Sequence, residues 1–307
     1  MHKSVLLNES ISKLNLNESS VIVDCTLGYA GHSSNILNKI KKGYLYAFDQ
    51  DDEAIKISNE KLKSIGNNYE IIRSNFVNIK DELYKRNIKK VDGILYDLGV
   101  SSPQLDEDYR GFSFHKDAKL DMRMDTKSKL TAYDVVNTYS YQKLVDIFYK
   151  YGEEKYSKSI ANGIINYREN KNIETTLELV EIIKENVPEK YKREKHPARK
   201  VFQAIRIEVN HELDVFEKSL KDALELINVG GRICVITFHS LEDKICKDIF
   251  NEVSKIDKNV EKLPIIPKEY QKDFKIIGTY KPSEEELKEN NRARSAKLRV
   301  IERIKEG

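Results

Sequence analysis

The sequence is poor in the residue types that mark secreted, metal-binding and membrane proteins. Its 307 residues include only three cysteines, Cys25, Cys234 and Cys246. Their odd number and wide spacing fit neither a disulfide framework nor a metal-ligand pattern, and they are typical of reduced thiols in a cytosolic protein. No apolar run approaches the roughly 18 residues of a membrane-spanning helix, and the opening segment MHKSVLLNES is too polar for a signal peptide. We therefore expect a cytoplasmic protein with no membrane partner and no bound metal.

The net charge of the chain is also small. Lys and Arg number 53 and Asp and Glu number 50, which gives a formal net charge of +3. A surface that binds nucleic acid would therefore have to be local rather than spread over the whole chain. What the sequence does contain is 34% charged and 39% hydrophobic residues. This mixture is typical of globular proteins, and the length suits one large domain or two smaller ones.

The most informative segment is VIVDCTLGYAGH at residues 21–32. Val21–Val23 predict a buried strand with Asp24 at its carboxyl end, and Gly28 and Gly31 open a turn into a helix. Such a strand–turn–helix presents backbone N–H groups and a helix N-terminus to a bound ligand. An ordinary turn between a strand and a helix is the alternative, because two glycines at this spacing are a weak signal alone.

Two more strands of the first hundred residues also end in aspartates. Tyr44–Phe48 is apolar and ends at Asp49, and Val91–Tyr96 is apolar and ends at Asp97. Helical patterns alternate with these strands, which predicts a parallel, doubly wound α/β sheet. Because ligands bind beyond the carboxyl ends of such strands, we expect Asp24, Asp49 and Asp97 along one edge.

The alternation stops after Leu105, and residues 107–201 predict an inserted helical domain. A continuous apolar stripe from Phe202 to Ile227 then predicts one long helix, ended by the turn Asn228–Gly231. Apolar segments further on restore the sheet, namely Arg232–Phe238, Phe274–Gly278 and Lys297–Ile304. The predicted sheet domain is therefore discontinuous and comprises residues 1–106 and 202–307.

Asp49 narrows the choice of ligand. An acid that ends the second strand can accept hydrogen bonds from both ribose hydroxyls of an adenosine-containing ligand; the alternative is a solvated loop acid. NAD would require the Gly-x-Gly pair that admits a pyrophosphate, whereas the turn here reads Gly28-Tyr29-Ala30-Gly31. We therefore favour S-adenosylmethionine over NAD, and a methyltransferase over a dehydrogenase.

A short third strand is predicted at Tyr69–Arg73, which makes Val91–Tyr96 the fourth. This fourth strand runs into DLGVSSPQ, residues 97–104. Methyltransferases that act on amines have a short acidic or Ser-Pro loop beside the donor methyl group. An exocyclic base amine is a poor nucleophile because its lone pair is delocalised, so hydrogen-bond acceptors and positioning should supply most of the rate. Asp97, Ser102 and Pro103 are the catalytic candidates; an ordinary Ser-Ser-Pro turn is the alternative.

Taken in order, these segments resemble the bacterial 16S ribosomal RNA (cytosine(1402)-N(4))-methyltransferase family. That family has a class I, Rossmann-like S-adenosylmethionine-dependent methyltransferase sheet with an inserted helical substrate-recognition domain, which agrees with the boundaries above. The resemblance implies a donor pocket formed by Ala30, Gly31, His32, Asp49, Phe76, Asp97 and Gln104. The matching segments are Asp24–Ser33, Asp97–Gln104, Arg110–Phe114, Leu120–Asp125, His196–Leu213, Ile236–Asp243 and Arg292–Arg299.

Phe76 and His32 could each serve a purpose different from contact with the donor. Phe76 follows the third strand and could lie against the adenine face, or it could be a core aromatic. His32 could be read as a metal ligand or a general base, but no His or Cys other than Cys25 is near it in sequence. Contact with the donor is the better interpretation of His32.

The candidate RNA-binding residues are basic, amide or strand-end side chains. Arg206 and Asn210 fall on one helix face, although such a stripe is usually a solvated surface. His239 and Ser240 end the fifth strand, with a helix N-cap at Ser240 as the simpler alternative. Basic residues cluster at 190–200 and at 292–299, and such local basic rims suit phosphate contacts. The substrate candidates are Arg123, Arg206, Asn210, His239, Ser240, Arg292 and Arg294.

We therefore expect an enzyme that uses S-adenosylmethionine to methylate N4 of a cytidine in 16S rRNA of the small ribosomal subunit. A methyltransferase for another nucleic-acid amine, or a non-catalytic RNA-binding assembly factor, remains an alternative. The sequence leaves the oligomeric state open, including a homodimer.

Overall fold

The computed structural model describes residues 4–100, 108–194, 196–256, 260, 267 and 270–306. It divides the chain into two compact units. The first comprises residues 1–99 and 213–307, and the second comprises residues 100–212. No helix in the described ranges has both the length and the apolar character needed to cross a membrane.

The first unit is built on a seven-stranded sheet with the order β3-β2-β1-β4-β5-β7-β6. Strands β1 to β5 are parallel, and β7 runs antiparallel to both β5 and β6. The strands are β1 Val21–Asp24, β2 Tyr44–Asp49, β3 Tyr69–Arg73, β4 Val91–Asp97, β5 Ile227–Thr237, β6 Phe274–Tyr280 and β7 Lys297–Arg303. This arrangement confirms the predicted Rossmann-like α/β fold class.

Helices cover the sheet and bury its strands on both faces. The inner strands β1, β2 and β4 are almost continuously buried, as expected for a parallel sheet covered on both sides. The helices of this unit are α1 Leu7–Lys13, α2 Gly31–Lys39, α3 Asp52–Lys63, α4 Ile79–Lys85, α11 Glu212–Leu226, α12 Ser240–Ser254 and α13 Glu284–Glu289. Two apolar clusters form its core, one around Tyr96 and Phe216 and the other around Ile22 and Leu37.

The second unit is helical and has a core of its own. Buried Leu144, Phe148, Ile160 and Ile205 belong to one apolar cluster that lies wholly within this unit. Its helices are α5 Ala132–Thr138, α6 Tyr141–Lys150, α7 Ser157–Arg168, α8 Thr176–Glu185, α9 Glu189–Glu194 and α10 Ala198–Asn210.

The predicted long helix over 202–227 is wrong, because the stripe belongs to two helices. His211 separates α10 from α11 with a left-handed φ of 51°. The apolar face of α10 packs into the core of the helical unit, whereas Phe216 and Leu220 of α11 pack against the sheet. The periodicity of the apolar residues shows that one face of a helix is buried, but it does not show which part of the protein covers that face. The compact helical unit spans residues 100–212, whereas the sequence predicts an inserted helical domain over residues 107–201.

The predicted turn at Asn228–Gly231 is also wrong, since these residues lie inside β5. The pairing of β4 with β5 shifts register here, because four residues of β5 lie between Ile227 and Arg232 where β4 has only Asp92. This irregularity does not end the strand, and Gly230 within it has a φ of 82°. Glycines that are typical of a turn therefore lie inside an irregular part of a strand.

Candidate active site

The turn after β1 has a backbone shape that brings N–H groups to the carboxyl edge of the sheet. Gly28 and Ala30 both have left-handed φ values, 48° and 55°, and Ala30 directly precedes α2. The Leu27 N–H donates to the Phe48 carbonyl, which fixes the turn to the end of β2. A Cβ atom at Gly31 would lie 1.8 Å from Oγ of Ser4, so any other residue at this position would require the Ser4 side chain to move.

Asp49 at the end of β2 binds this turn through its carboxylate. Oδ2 accepts the Gly28 N–H at 2.8 Å, and Oδ1 accepts those of Gln50 and Asp51 at 2.8 and 2.9 Å. Burial raises the pKa of Asp49 to about 6, although the three backbone N–H groups oppose that rise. The carboxylate therefore sets the shape of the turn and lies at the predicted edge.

Asp24 at the end of β1 is fully buried and organises the same edge. Its carboxylate accepts from the Ser33 hydroxyl at 2.6 Å and from the Thr26 N–H at 3.1 Å. The Thr26 hydroxyl in turn accepts the Asp97 N–H at 2.7 Å. Burial raises the pKa of Asp24, in spite of these hydrogen bonds.

Asp97 at the end of β4 also has a perturbed acidity. Burial and, to a lesser extent, the charges of Asp24 and Glu242 raise its pKa to about 8. Its Oδ2 lies 3.5 Å from Nδ1 of His32, and burial lowers the pKa of that imidazole to about 4. Both groups are therefore largely uncharged at neutral pH. Among the described residues no hydrogen-bond partner reaches the buried Oδ1 of Asp97.

Phe76 lies in a short 3-10 turn after β3 and is half-buried. Its ring packs edge-on against Tyr96, with the ring centroids 5.6 Å apart. Its carbonyl accepts from the Ser219 hydroxyl at 2.9 Å. The residue is thus partly a core aromatic, the alternative that the sequence left open, with part of its side chain still accessible.

Three of the predicted site residues lie outside the described residues. They are the catalytic candidates Ser102 and Pro103 and the donor-pocket candidate Gln104.

The strand-end candidates His239 and Ser240 stand at the start of α12. The N-cap is His239 and not Ser240, because the His239 side chain and Glu242 form a reciprocal capping box. Glu242 is buried and its carboxylate accepts the Phe238 N–H at 2.7 Å. The suggested cap at Ser240, with Asp243 three residues on, is therefore wrong by one residue.

The basic residues around β7 lie at the same edge, since Thr237 at the end of β5 pairs with Lys297. Lys297 and Arg299 are both bound to Asp243, at 2.8 and 2.6 Å. Arg292 and Arg294 lie in the exposed 3-10 turn just before β7.

The candidates in the helical unit make their hydrogen bonds within it. Arg123 binds Asp121 and two loop carbonyls, and Arg206 forms a two-pronged ion pair with Glu212 at 2.8 and 2.9 Å. The Asn210 amide accepts the Met124 N–H and donates to the Met122 carbonyl. These contacts fix loops of the unit.

Sequence reasoning missed three residues at the acidic edge: Thr26, Ser33 and Glu242. The first two are hydroxyls that bind Asp24, and short polar residues in a turn give no distinct signal. Glu242 did carry one, because a glutamate three residues after a cap is the capping-box spacing. That spacing, counted from His239, identifies the buried acid.

The sheet order and the acidic edge define the class of protein: a Rossmann-like α/β protein with a candidate ligand site at the carboxyl ends of its strands. The model of the MraW methylase family matches residues 1–304. The chain is 52% identical to a protein named ribosomal RNA small subunit methyltransferase H from Exiguobacterium sibiricum, over 99% of each chain.

Two solved structures are similar over most of their length. One is an rRNA methylase from Streptococcus thermophilus, with 12% identity, a TM-score of 0.44 and coverage of 97% of this chain and 93% of that one. The other is a candidate methyltransferase from Streptococcus mutans in complex with SAH, with 14% identity, a TM-score of 0.45 and 99% coverage of both.

The chain belongs to the MraW methylase family, which confirms the resemblance seen in the sequence. This is a family of S-adenosylmethionine-dependent methyltransferases.

Proposed function

We propose that the protein transfers a methyl group from S-adenosylmethionine to N4 of a cytidine in 16S rRNA of the small ribosomal subunit. The observation that carries the proposal is the edge formed by Asp24, Asp49 and Asp97 in a chain of the methylase family. The name of the 52% identical relative supports small-subunit rRNA as the substrate. The amine and its position, 1402, follow from the resemblance in the sequence.

The residues of the acidic edge suit the donor. A buried oxygen of Asp97 has no hydrogen-bond partner among the described residues, and an orphaned acceptor of this kind is typical of a ligand site. Asp49 is positioned to accept ribose hydroxyls while holding Gly28. The turn of Ala30, Gly31 and His32 would hold the remainder of the donor at the start of α2, with Phe76 and Gln104 completing the pocket.

Within the site the donor would supply an electrophilic methyl group on a positively charged sulfur. The contribution of the chain is placement and charge. Asp97 keeps its proton at neutral pH because burial raises its pKa to about 8. A cationic group bound beside it would favour the charged carboxylate, which then becomes a strong hydrogen-bond acceptor.

The cytidine amine needs acceptors that hold its protons and aim its nitrogen. Asp97, Ser102 and Pro103 are our proposed catalytic residues, since all three belong to the segment DLGVSSPQ that begins at the end of β4. Positioning of this kind accounts for large rate effects without a strong base. The target base must leave its stack to reach such a site, at a cost of a few kcal/mol.

RNA would be held by the basic and strand-end residues of the same edge. We assign this role to Arg292, Arg294, His239 and Ser240, which precede β7 or begin α12. Arg123, Arg206 and Asn210 would act on the substrate only through the loops that they fix, because their polar groups bind within the helical unit.

The test is methyl transfer with labelled S-adenosylmethionine to small subunits that lack the modification, followed by mass-spectrometric mapping. We expect N4-methylcytidine in 16S rRNA, and no label with the Asp49→Ala variant as control. Label on another amine would contradict the assigned substrate. Donor binding with no transfer would instead identify a non-catalytic assembly factor.

A further inference from the structure

The helical unit has a group of tyrosines and lysines that no part of the acidic edge uses. It lies at the end of α6, in the loop to α7 and on α9. We call it the tyrosine–lysine cluster, and its members are Tyr149, Lys150, Tyr151, Lys155, Tyr156 and Tyr191.

The aromatic members are exposed or half-buried, and three of them lie beside a lysine. The fourth, Tyr149, is 71% exposed, the largest value for a large hydrophobic residue in the described part of the chain. The Lys155 ammonium lies 5.0 Å from the Tyr156 ring centroid and 4.8 Å from that of Tyr191. The Lys150 ammonium lies 5.0 Å from the Tyr151 ring. Rings of this kind have an accessible π face beside a positive charge.

Two of the rings, those of Tyr156 and Tyr191, are held in place by contacts with each other and with a buried acid. Glu154 is fully buried and its carboxylate accepts the Tyr191 hydroxyl at 2.6 Å and the Tyr156 N–H at 2.9 Å. The Tyr156 and Tyr191 rings meet edge-on, 4.9 Å apart. A ring that is fixed before binding loses less entropy when a ligand stacks on it.

The chain segments of the cluster also carry an excess of positive charge. The Lys200 ammonium binds the Glu153 carbonyl, and Gln203 binds the Tyr151 carbonyl, so the start of α10 adjoins the loop. Segments 149–156, 189–193 and 199–200 together contain seven lysines and arginines and three glutamates. One of those glutamates is the buried Glu154.

We propose that the tyrosine–lysine cluster is a docking surface for single-stranded RNA, with bases stacked on Tyr149 and its neighbours and phosphates bound by the lysines. Aromatic side chains accept any base because every base has a π face, and cations track the backbone. An apolar protein partner would be met by leucine or phenylalanine rather than by tyrosines alternating with lysines. The inference rests on the proposed function, which makes the partner an RNA.

The experiment compares full-length variants in binding to a fluorescent, unstructured RNA oligonucleotide. We expect Tyr149→Ala to weaken RNA binding by about fivefold or more, and Tyr149→Phe to bind like the unmodified protein because the ring is kept. The matched control is Tyr84→Ala on α4, an exposed tyrosine that also has a lysine over its ring. Affinity for S-adenosylhomocysteine should be the same in all of them.

Salt dependence separates stacking from simple charge attraction. The double variant Lys150→Ala/Lys155→Ala should reduce the slope of log affinity against log salt by about 1.4, at about 0.7 for each phosphate contact on a single strand. RNA binding equal to the unmodified protein in Tyr149→Ala would overturn the proposal, and so would weaker binding to whole small subunits with unchanged oligonucleotide binding, which would indicate a protein partner. Failure of the unmodified protein to bind the oligonucleotide would overturn this proposal alone, whereas absence of methyl transfer to small subunits would overturn the proposed function.

Discussion

The two units use their polar residues in opposite ways. At the acidic edge of the sheet unit, Asp97 has a raised pKa and a buried oxygen without a partner among the described residues. In the helical unit, Arg206 and Asn210 are bound by other groups of that same unit. Strongly perturbed and incompletely paired groups are typical of functional sites. The paired side chains of Arg206 and Asn210 instead stabilise the structure of the helical unit.

The residue type of a side chain does not by itself show whether that side chain binds substrate. Arginine and asparagine on a helix face have the chemistry to bind RNA, and so they were reasonable candidates in the sequence. The structure shows that Arg206 and Asn210 instead join the end of α10 to Glu212 and to the loop at 122–124. Tyr149 in the same unit is instead 71% exposed, so its ring is accessible to a ligand.

The largest effect that would test the comparison is loss of the carboxylate at Asp49. We expect Asp49→Ala to weaken the binding of S-adenosylhomocysteine by about a hundredfold, since hydrogen bonds to a charged group contribute about 1.5–3 kcal/mol each. The release of Gly28, Gln50 and Asp51 would add to this loss. Isothermal titration calorimetry measures it directly.

The matched control for that variant is Asp52→Ala, three residues further along the chain. Asp52 is exposed and forms a surface ion pair with Arg73, which contributes little. Equal donor affinity in Asp49→Ala and the unmodified protein would remove Asp49 from the donor site.

The second effect is on the stability of the helical unit. Asn210→Ala removes an acceptor for the Met124 N–H and donors to the carbonyls of Met122 and Arg206. Because these groups are left unpaired, we expect a loss of about 2 kcal/mol in the free energy of unfolding, measured by urea denaturation, with donor affinity unchanged.

Asn162→Ala is the control for Asn210, because Asn162 is an exposed asparagine on α7. Its effect should stay within about 0.5 kcal/mol. A stable Asn210→Ala protein that has lost only RNA binding would refute the structural role and restore Asn210 as a substrate contact.

The third effect is a pH dependence of donor binding that comes from Asp97. Its pKa of about 8 means that the carboxyl is mostly protonated at pH 7, while a cationic ligand prefers the charged form. Affinity for S-adenosylmethionine should therefore fall as the pH drops below about 8, by up to about tenfold for each pH unit. His32, with a pKa of about 4, stays neutral over this range.

The Asp97→Asn variant tests whether the pH dependence of donor binding comes from Asp97 or from another group. An amide does not titrate, so the variant should bind the donor weakly and with a flat profile between pH 6 and pH 8. The same substitution should also stabilise the fold, by an amount that grows between about pH 4 and pH 8 and is constant above pH 8. The reason is that the unfolded protein releases this proton near pH 4, whereas the folded protein holds it up to about pH 8. A profile that stays steep in Asp97→Asn would assign the titration to another group.

The sheet unit could be predicted well from the sequence, and the reason is local. Each parallel strand is a short apolar run, and its last residue in the sequence, such as Asp49 or Asp97, is also its last residue in the sheet. Strand ends place side chains at one edge whatever the helices do. The edge was therefore predictable without any knowledge of tertiary contacts.

The helical unit could be predicted only in part. Helices such as Tyr141–Lys150 follow from the spacing of their apolar residues, but the break at His211 does not, because the stripe continues through it. Partners such as Glu212 for Arg206 depend on packing that periodicity does not contain. The irregular part of β5 at Asn228–Gly231 was not predicted either. Glycines are common both in turns and in irregular strands, so the sequence does not distinguish the two.

The smallest effect concerns Arg294, which lies on the sheet unit and is exposed. We expect Arg294→Ala to weaken RNA binding by a few-fold and to reduce the salt slope by about 1, as for one lost phosphate contact. Donor affinity should be unchanged, because charge at this turn acts on the substrate alone. Lys63→Ala, which removes an exposed cation from α3, is the control and should bind RNA normally. If both variants lose the same affinity for RNA, the loss comes from the change in net charge. The basic turn before β7 would then not be a specific RNA-binding site.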